Sequence, residues 1–257
     1  MKISGLYIYP VKSCKGIFLQ QSNVDNLGLG NDRHWLVVDD KENKFITQRQ
    51  MPKMALIEPS IKNGILTLNA PGMTEIEIPS YKKYTNVKVW SDECLAYDQG
   101  IKVSQWLSTF LEQECSLVEI SSCDKRLSSD KKSRIAFPDG YPLLIISEAS
   151  LEDLNSRLKE PLPMDRFRPN IVISDCKPYE EDTFGKIQIN NVIFEGQTQC
   201  ERCTVTTVDQ SKGERSGKEP LATLNTYRKV ANGVVFGRNF SHLNQGEIHV
   251  GDEVKVL

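Results

Sequence analysis

The stretch NGILTLNAPGMTEIEIPSYKKYTNVKVW at residues 63–90 contains three short apolar segments that decide the fold class. The segments lie at 65–68, 75–78 and 87–90, and polar, glycine or proline residues separate them. The second and third alternate in the way that a strand with one buried face requires. Strands this short and this frequent predict a β-barrel or a β-sandwich.

Apolar patterns elsewhere predict more strands and a few helices. The further strands are predicted as hairpins at 35–38 with 45–47 and at 187–189 with 192–194, as buried strands at 143–146 and 171–173, and as two short strands between 247 and 257. Apolar residues at helical spacing predict one helix from Val103 to Leu111 and others after Ser147 and Pro220. The predicted class is mainly β with a few helices, a β-rich α+β protein.

A polar, charged stretch from Ser121 to Ser133 interrupts these patterns. Such a composition predicts a linker or mobile loop and the boundary between two domains. The chain of 257 residues is long enough for one large β-rich domain or two small ones. We therefore expect domains at residues 1–120 and 121–257.

Composition excludes several classes of protein. The net charge is −2 and the sequence pI is about 6.0, without the basic excess of a general nucleic-acid binder. The N-terminus has no apolar export signal. The longest apolar run, Leu143 to Ile146, is too short to span a membrane. We expect a globular protein of the cytoplasm that binds no nucleic acid and has no membrane span.

Seven irregularly spaced cysteines make a disulfide framework improbable in a reducing compartment, and we expect most of them to be buried thiols. Cys200-Glu201-Arg202-Cys203 is the strongest local signal. It fits half a zinc site, a thioredoxin-type redox pair or two ordinary thiols. A second CxxC is absent from the sequence, and a β-branched strand is predicted after Cys203 where a redox pair needs a helix. Arg202 favours a thiolate at Cys203, the form that binds soft metals.

Three other segments offer groups that bind anions. The loop YPVKSCKG at 9–16 carries two lysines, a serine and a glycine, the turn at 28–33 is glycine-rich and ends in Arg33, and Arg166-Phe167-Arg168-Pro169-Asn170 precedes a predicted strand. Backbone N–H groups, hydroxyls and cationic side chains are suited to a phosphate. Each segment alone also fits an ordinary exposed turn or surface arginines, so they gain weight only if they converge in space.

Six segments of the chain, in order, match those of a known family. They are YPVKSCKG at 9–16, GLGNDRHWLVVD at 28–39, ITQRQMP at 46–52, LLIISEASLEDLNSRL at 143–158, RFRPNIVIS at 166–174 and CERCTVTTVD at 200–209, and GKEPLATLNTYR at 217–228 supports them. The chain resembles the MOSC family, in particular its YcbX-like proteins and the mitochondrial amidoxime-reducing component. The resemblance implies an N-terminal MOSC-type β-barrel module, 1–120, followed by a MOSC β-barrel domain, 121–257.

The resemblance also implies the molybdenum cofactor, a pyranopterin whose dithiolene chelates the metal, and no pyridoxal phosphate. Cys203 matches the cysteine that completes the metal coordination, so we expect it to be the metal ligand and the catalytic residue. Cys200 is not expected to bind metal. The residues implied in binding the cofactor are Lys12, Ser13, Arg33, Gly140, Tyr141, Arg168, Asn170, Glu201, Arg202 and Asn239. The sequence departs from the family at 140–141, where small hydroxyl residues are common, and at Asn239, where mitochondrial relatives have an aromatic residue.

The activity implied is the reduction of N-hydroxylated compounds, in which two electrons and two protons convert N–OH to N–H and water. Some relatives carry a C-terminal ferredoxin domain. We expect none here, so a separate ferredoxin, flavoprotein or cytochrome must supply the electrons. Asp209 is either a proton relay or an exposed turn residue.

Two alternatives stay open at this point. One is a protein that binds or carries the cofactor, or its sulfur, without turning over a substrate. The other is a structural β-protein with no cofactor, whose cysteines are merely buried.

Overall fold

The computed structural model describes residues 1–80 and 83–257, and strands dominate it. The strands in the first half are β1 (Lys2–Ile8), β2 (Ile17–Phe18), β3 (Gln21–Asp25), β4 (Gly28–Leu29), β5 (Trp35–Asp39), β6 (Lys44–Phe45), β7 (Glu58–Lys62), β8 (Ile65–Asn69), β9 (Ile76–Glu77), β10 (Lys83–Val89), β11 (Asp92–Asp98) and β12 (Cys115–Ile120). Those in the second half are β13 (Leu143–Ser147), β14 (Ile171–Ser174), β15 (Lys186–Ile189), β16 (Val192–Glu201), β17 (Val208–Asp209), β18 (Glu214–Arg215), β19 (Lys229–Val230), β20 (Gly233–His242), β21 (Gly246–His249) and β22 (Val254–Val256).

Three α-helices and four 3-10 turns connect these strands in the described part of the chain. The helices are α1 (Ile101–Leu111), α2 (Glu148–Arg157) and α3 (Leu221–Tyr227), and the 3-10 turns are Pro52–Leu56, Met164–Arg166, Glu180–Thr183 and Thr204–Thr207. No helix among residues 1–80 and 83–257 has both the length and the hydropathy needed to cross a bilayer. The mainly β class with a few helices, predicted from the sequence, is confirmed.

The first half of the chain closes a barrel of five strands, β10-β11-β12-β5-β6. Side chains alternate along β5, so that Leu36 and Val38 join one apolar cluster while Val37 joins another. The second cluster includes the apolar stripe of α1, with Trp106 and Leu107. The helix therefore covers one face of the strands while the other face fills the barrel.

The larger sheet has the order β2-β1-β14-β13-β20-β16-β15-β22, with β19 added beside β20. Along β13, Leu143 and Ile145 pack into one cluster and Leu144 and Ile146 into another, so this strand is buried on both faces. β13 and β14 run parallel, whereas the other strand pairs of this sheet in the described part of the chain are antiparallel.

β1 is the first strand of the chain, yet it pairs with β14 in the second half. Its register places Leu6 opposite Ile171 and Lys2 opposite Ser174. Residues 2–8 therefore belong to the same sheet as residues of the second half. The boundary at residues 120 and 121 stays a prediction.

The predicted helices and hairpins are present. α1 follows Gly100, and the hairpin of β15 and β16 turns through Asn190, whose φ is 52°. Ser147 caps α2 by accepting a hydrogen bond from the backbone N–H of Ser150 at 3.0 Å. The helix ends at Arg157, before Pro161 and Pro163. A proline disfavours helical backbone at the residue before it, so the helix does not continue through this segment.

Two local predictions differ from the structure. The strand predicted at 87–90 ends at Val89, and Trp90 instead lies in the tight turn between β10 and β11 with φ 58°. The strand predicted after Cys203 is a 3-10 turn, because Thr206 and Thr207 donate their hydroxyls to the carbonyls of Cys203 and Thr204. Threonine hydroxyls compete with strand pairing by bonding nearby backbone in this way.

The stretch 121–133 is irregular, as predicted, but it is packed against the rest of the protein. Arg126 is 7% exposed. Its guanidinium donates to the carbonyls of Ala136, Pro138 and Asp139. One buried side chain therefore holds the loop that leads into β13.

We expect Ser147→Ala to lower the free energy of unfolding by about 1–2 kcal/mol, the usual cost of a lost N-cap. The hydroxyl of Ser147 also donates to the buried carboxylate of Glu181 at 2.9 Å, and this bond is lost as well. Urea denaturation measures the change. Ser156→Ala in the same helix is the control, because Ser156 is exposed and its loss should change stability by less than about 0.5 kcal/mol. Equal effects of the two substitutions would contradict the capping role.

Candidate active site

One cleft receives the three segments that the sequence singled out as anion binders. It also receives the Cys200–Cys203 segment and the loop before β13. All of the sequence-predicted site residues line it, namely Lys12, Ser13, Arg33, Gly140, Tyr141, Arg168, Asn170, Glu201, Arg202, Cys203 and Asn239. The predicted convergence is therefore observed, while the contacts of these residues with a ligand stay predictions.

The pairing of β1 with β14 brings the first and third segments together. Tyr9 follows β1, and Arg168 precedes β14, so they meet at one end of this strand pair. The Arg168 guanidinium lies 4.1 Å from the centre of the Tyr9 ring, and the Arg33 guanidinium lies 4.7 Å from the same centre. The ring holds two cationic side chains close together, which their mutual repulsion opposes.

The two guanidinium groups differ in their partners. Arg33 forms an ion pair with the buried Asp32, which outweighs the effect of burial and raises the pKa of Arg33. Burial lowers the pKa of Arg168 to about 10, and the Tyr9 hydroxyl only partly offsets it. Nη2 of Arg168 is buried without a hydrogen-bond partner. Arg168 thus keeps its charge at neutral pH but forms no ion pair with the described residues.

Asn170 fixes the position of Arg33 in the wall of the cleft. Its side-chain oxygen accepts a hydrogen bond from Arg33 at 3.0 Å and another from the backbone N–H of Leu144 at 3.2 Å. Its amide nitrogen donates to the carbonyl of Tyr7 at 3.2 Å. Asn170 is only 1% exposed, and its hydrogen bonds join Arg33 to strands β13 and β1.

Lys12 is balanced by a carboxylate that the sequence did not single out. Its ammonium donates to Asp139 at 2.6 Å and to the carbonyl of Phe137 at 2.8 Å. Burial lowers the pKa of Lys12 although Asp139 opposes the shift. Arg49 and the indole N–H of Trp90 approach the same carboxylate at 3.7 and 3.2 Å.

Asp139 responds to these neighbours in the opposite sense. Partial desolvation in the cleft raises the pKa of its carboxyl, but Lys12, Arg49 and Trp90 outweigh this and hold the pKa well below its usual range. Asp139 therefore stays ionised and keeps Lys12 in the cleft wall.

Backbone strain also marks this wall. Ser13, Arg33 and Arg168 all have positive φ, at 68°, 53° and 56°. Non-glycine residues adopt such angles rarely, and they cluster at binding and active sites. The Gln48 amide supports the first of these turns by donating to the Ser13 carbonyl at 2.7 Å.

Arg202 interacts with a different cysteine from the one expected. Its Nη1 donates to the sulfur of Cys200 at 3.0 Å, and its Nη2 donates to the carbonyl of Phe167 at 2.6 Å. The physical reason is that β16 extends to Glu201, and side chains two residues apart on a strand point to the same face. Cys200 is therefore the hydrogen-bonded partner of Arg202, and an influence of Arg202 on the charge of Cys203 stays a prediction.

Cys203 itself begins the 3-10 turn and is half-buried in the cleft wall, and all seven cysteines are free. Cys14, Cys94 and Cys115 are fully buried, and burial raises the pKa of Cys14 and Cys94 to about 12 and that of Cys115 to about 11. Such thiols are unreactive. Cys176 and Cys200 are half-buried like Cys203, and Cys123 is exposed, so fewer cysteines are buried than expected.

Several residues of the cleft were not predicted. The sequence signal for Arg49 was present, because Arg49 lies in the segment ITQRQMP at 46–52. Asp139 and Phe167 each adjoin predicted residues. Two residues from the predicted segments lie elsewhere. Arg166 donates to Ser216 at 2.9 Å outside the cleft, and Asp209 accepts three hydrogen bonds from Ser211 and Lys212, as a turn residue does.

Comparison with known proteins agrees with this arrangement. Residues 1–114 match the MOSC N-terminal beta barrel domain, and residues 132–255 match the MOSC domain. The chain is 37% identical over 279 residues to mitochondrial amidoxime-reducing component 1 of Mus musculus, covering 99% of this chain and 82% of that protein. It is 35% identical over 278 residues to mitochondrial amidoxime reducing component 2 of Homo sapiens, covering 98% and 82%.

The chain belongs to the MOSC-domain family. Among solved structures, the YUAD protein from Bacillus subtilis aligns with 98% of this MOSC protein and 93% of its own chain, with a TM-score of 0.47 and 13% identity. The family assignment rests on the domain matches and the full-length relatives, because the structural likeness is weak.

We expect Asp139→Asn to lower the stability of this MOSC protein at pH 6 by about 1 kcal/mol, the upper end for an ion pair with one exposed partner. The pKa of Asp139 is lower in the folded than in the unfolded state. Its contribution is therefore fully present above the unfolded pKa, about 4, and decreases progressively as the pH falls from there towards the lower pKa of the folded state. Urea denaturation between pH 6 and pH 3 measures the difference.

In that experiment the wild type and Asp139→Asn should converge as the pH falls. Asp175→Asn is the control, because Asp175 is exposed and forms no ion pair with the described residues. A gap between wild type and Asp139→Asn that stays constant down to pH 3 would show that the carboxylate charge is not the cause.

Proposed function

We propose that this MOSC protein binds the molybdenum cofactor in the cleft and reduces N-hydroxylated compounds. The observation that carries the proposal is the half-buried Arg168, whose Nη2 is buried without a hydrogen-bond partner in the wall that Cys203 shares. A buried charge without a partner is costly, so a site of this kind is suited to an anionic ligand. The cofactor brings a phosphate group, and the relatives named as amidoxime-reducing components support the reaction class.

The remaining cations of the cleft favour the same kind of ligand. Nε of Arg202 is also buried without a hydrogen-bond partner. Neither Arg168 nor Arg202 has a carboxylate within 4.0 Å among the described residues. With Lys12, Ser13 and Arg33 beside them, they would bind a phosphate through charge-assisted hydrogen bonds.

The protein offers too few side chains to bind a metal ion by itself, which favours a metal that is already chelated by a cofactor. The described residues contain no cluster of three or more His, Cys, Asp or Glu side chains that could hold an ion. The cleft offers the Cys203 sulfur, a soft ligand that suits a transition metal as its thiolate. When bound, the cofactor supplies the two-electron redox chemistry, while Cys203 would complete the metal coordination.

The chain's own residues would position the reactants. Lys12, Arg33 and Arg168 would hold the phosphate of the cofactor, and Cys203 would hold its metal. The substrate N–OH group takes up two electrons and two protons and leaves as N–H and water. The electrons come from a separate donor protein. The cytoplasmic location stays a prediction, and the relatives' names place those proteins in mitochondria.

The proposal is tested by expressing the wild type, Cys203→Ser and Cys200→Ser in a host that makes the molybdenum cofactor. Molybdenum and pterin per chain are measured, and benzamidoxime reduction is assayed with an artificial electron donor. We expect wild type and Cys200→Ser to be loaded and active, because Arg202 rather than the metal is the partner of Cys200. Cys203→Ser should lose most of its turnover, since a serine hydroxyl is a poor ligand for a soft metal.

Each outcome of this experiment has a defined meaning. Bound cofactor without turnover in the wild type would favour a carrier of the cofactor over a reductase. Equal loss of activity in both variants would contradict the distinct role of Cys203. A folded wild type that binds neither molybdenum nor pterin, even after reconstitution, would refute the cofactor assignment.

We expect Arg168→Gln to weaken cofactor binding by roughly 10–100-fold, the effect of losing one or two hydrogen bonds from a charged group. The same substitution removes a half-buried charge that has no ion-pair partner, so the thermal midpoint of the cofactor-free protein should stay unchanged or rise. Pterin content and thermal unfolding measure the two effects. Arg157→Gln is the control, since Arg157 is 46% exposed and does not line the cleft. A fall in both properties would indicate a structural role instead.

A further inference from the structure

The segment GKEPLATLNTYR at 217–228 matches the family but contributes no side chain to the cleft. Its residues line a second, open depression of about 1110 Å³ on the surface. We call this depression the basic groove and define it by Arg202, Arg215, Lys218, Leu221, Lys229 and Val230, which line it.

The charge of the basic groove is all of one sign. Four cationic side chains line it, those of Arg202, Arg215, Lys218 and Lys229, and no Asp or Glu does. None of the four has a carboxylate within 4.0 Å in the part of the chain that the structure describes. This local positive charge stands out in a protein whose net charge is −2.

A single turn of backbone separates the basic groove from the cleft. Within the 3-10 turn Thr204–Thr207, Val205 and Thr206 line the cleft, while Thr204 and Thr207 line the groove. Arg202 lines both, and Cys203 lies between Arg202 and this turn. The groove is therefore the outer side of the wall that presents the Cys203 sulfur.

We infer that the basic groove is the docking site of the electron donor, and that the donor is an acidic electron-transfer protein. This rests on the proposed function, which needs two electrons from outside the chain. Electron transfer becomes slower with distance, so a donor gains from docking on the back of the wall that holds the metal ligand. Docking there also leaves the cleft open to the substrate.

The surface chemistry of the groove agrees with a transient redox partner. Such partners use small interfaces and are steered by complementary charge. The apolar residues Leu221, Val230 and Val234 also line the groove, so it offers a partner apolar as well as cationic side chains. A one-electron carrier docks twice per turnover. Each of the two carriers is oxidised by one electron. These two electrons, with two protons, convert N–OH to N–H and water.

The test compares two charge-reversal variants of the cofactor-loaded protein. Lys218→Glu/Lys229→Glu changes the groove. Lys62→Glu/Lys102→Glu is the matched control, because these lysines are exposed and line neither the cleft nor the groove. Benzamidoxime reduction is driven either by reduced plant-type [2Fe–2S] ferredoxin, an acidic carrier, or by reduced methyl viologen, a small cation that needs no docking site.

We expect the groove variant to lower kcat/KM for ferredoxin about tenfold or more at low ionic strength, with a difference that shrinks as salt is added. Its turnover with methyl viologen should equal that of the wild type, and the control should match the wild type with both donors. Equal ferredoxin kinetics for the two variants would overturn the inference.

Two further measurements separate the possible failures. Binding of oxidised ferredoxin is followed by calorimetry, which requires no turnover, so docking is decided even if the wild type fails to reduce benzamidoxime with methyl viologen. Sedimentation with phosphatidylserine vesicles is measured in parallel. If the groove variant loses vesicle binding but keeps ferredoxin binding, the groove recognises a lipid surface and the inference is wrong.

Discussion

The pairing of β1 with β14 is the contact on which the cleft depends. It joins residues at the start of the chain to residues about two thirds of the way along it, with Leu6 opposite Ile171. The turns that extend from these strands then place Tyr9 beneath both Arg33 and Arg168. Without that register the three cationic segments would lie on separate surfaces, each an ordinary basic turn.

The cationic side chains of the cleft fall into two groups, those that pair with a carboxylate of the protein and those that do not. Asp139 neutralises Lys12 and Asp32 neutralises Arg33, so these two can be buried in the protein alone. Arg168 and Arg202 have no such carboxylate, and each retains a buried nitrogen without a partner. This wall thus holds two cationic side chains that no carboxylate of the protein pairs with, which supports the proposal of an anionic ligand.

The sequence predicted the class of fold, most strands and helices, and the set of residues around the cleft. Those residues could be found because they occur in short segments that match a family in order. Interactions that depend on register could not be found in this way. The preference of Arg202 for Cys200 follows from the point at which β16 ends, and the partnership of Asp139 with Lys12 joins residues 127 positions apart. The apolar character of Trp90 predicts a strand residue, and the alternating pattern gives no sign of the tight turn in which it lies.

The unbalanced guanidinium of Arg168 also bears on how much of this protein a cell would contain. A ligand that binds only the folded state stabilises it by mass action, and unfolded chains are removed by proteases. Here the proposed cofactor would supply the missing partner of Arg168 Nη2 and so stabilise the folded state relative to the cofactor-free chain. We therefore expect molybdenum supply to set the abundance of the protein as well as its activity, with the chain degraded faster when the metal is scarce.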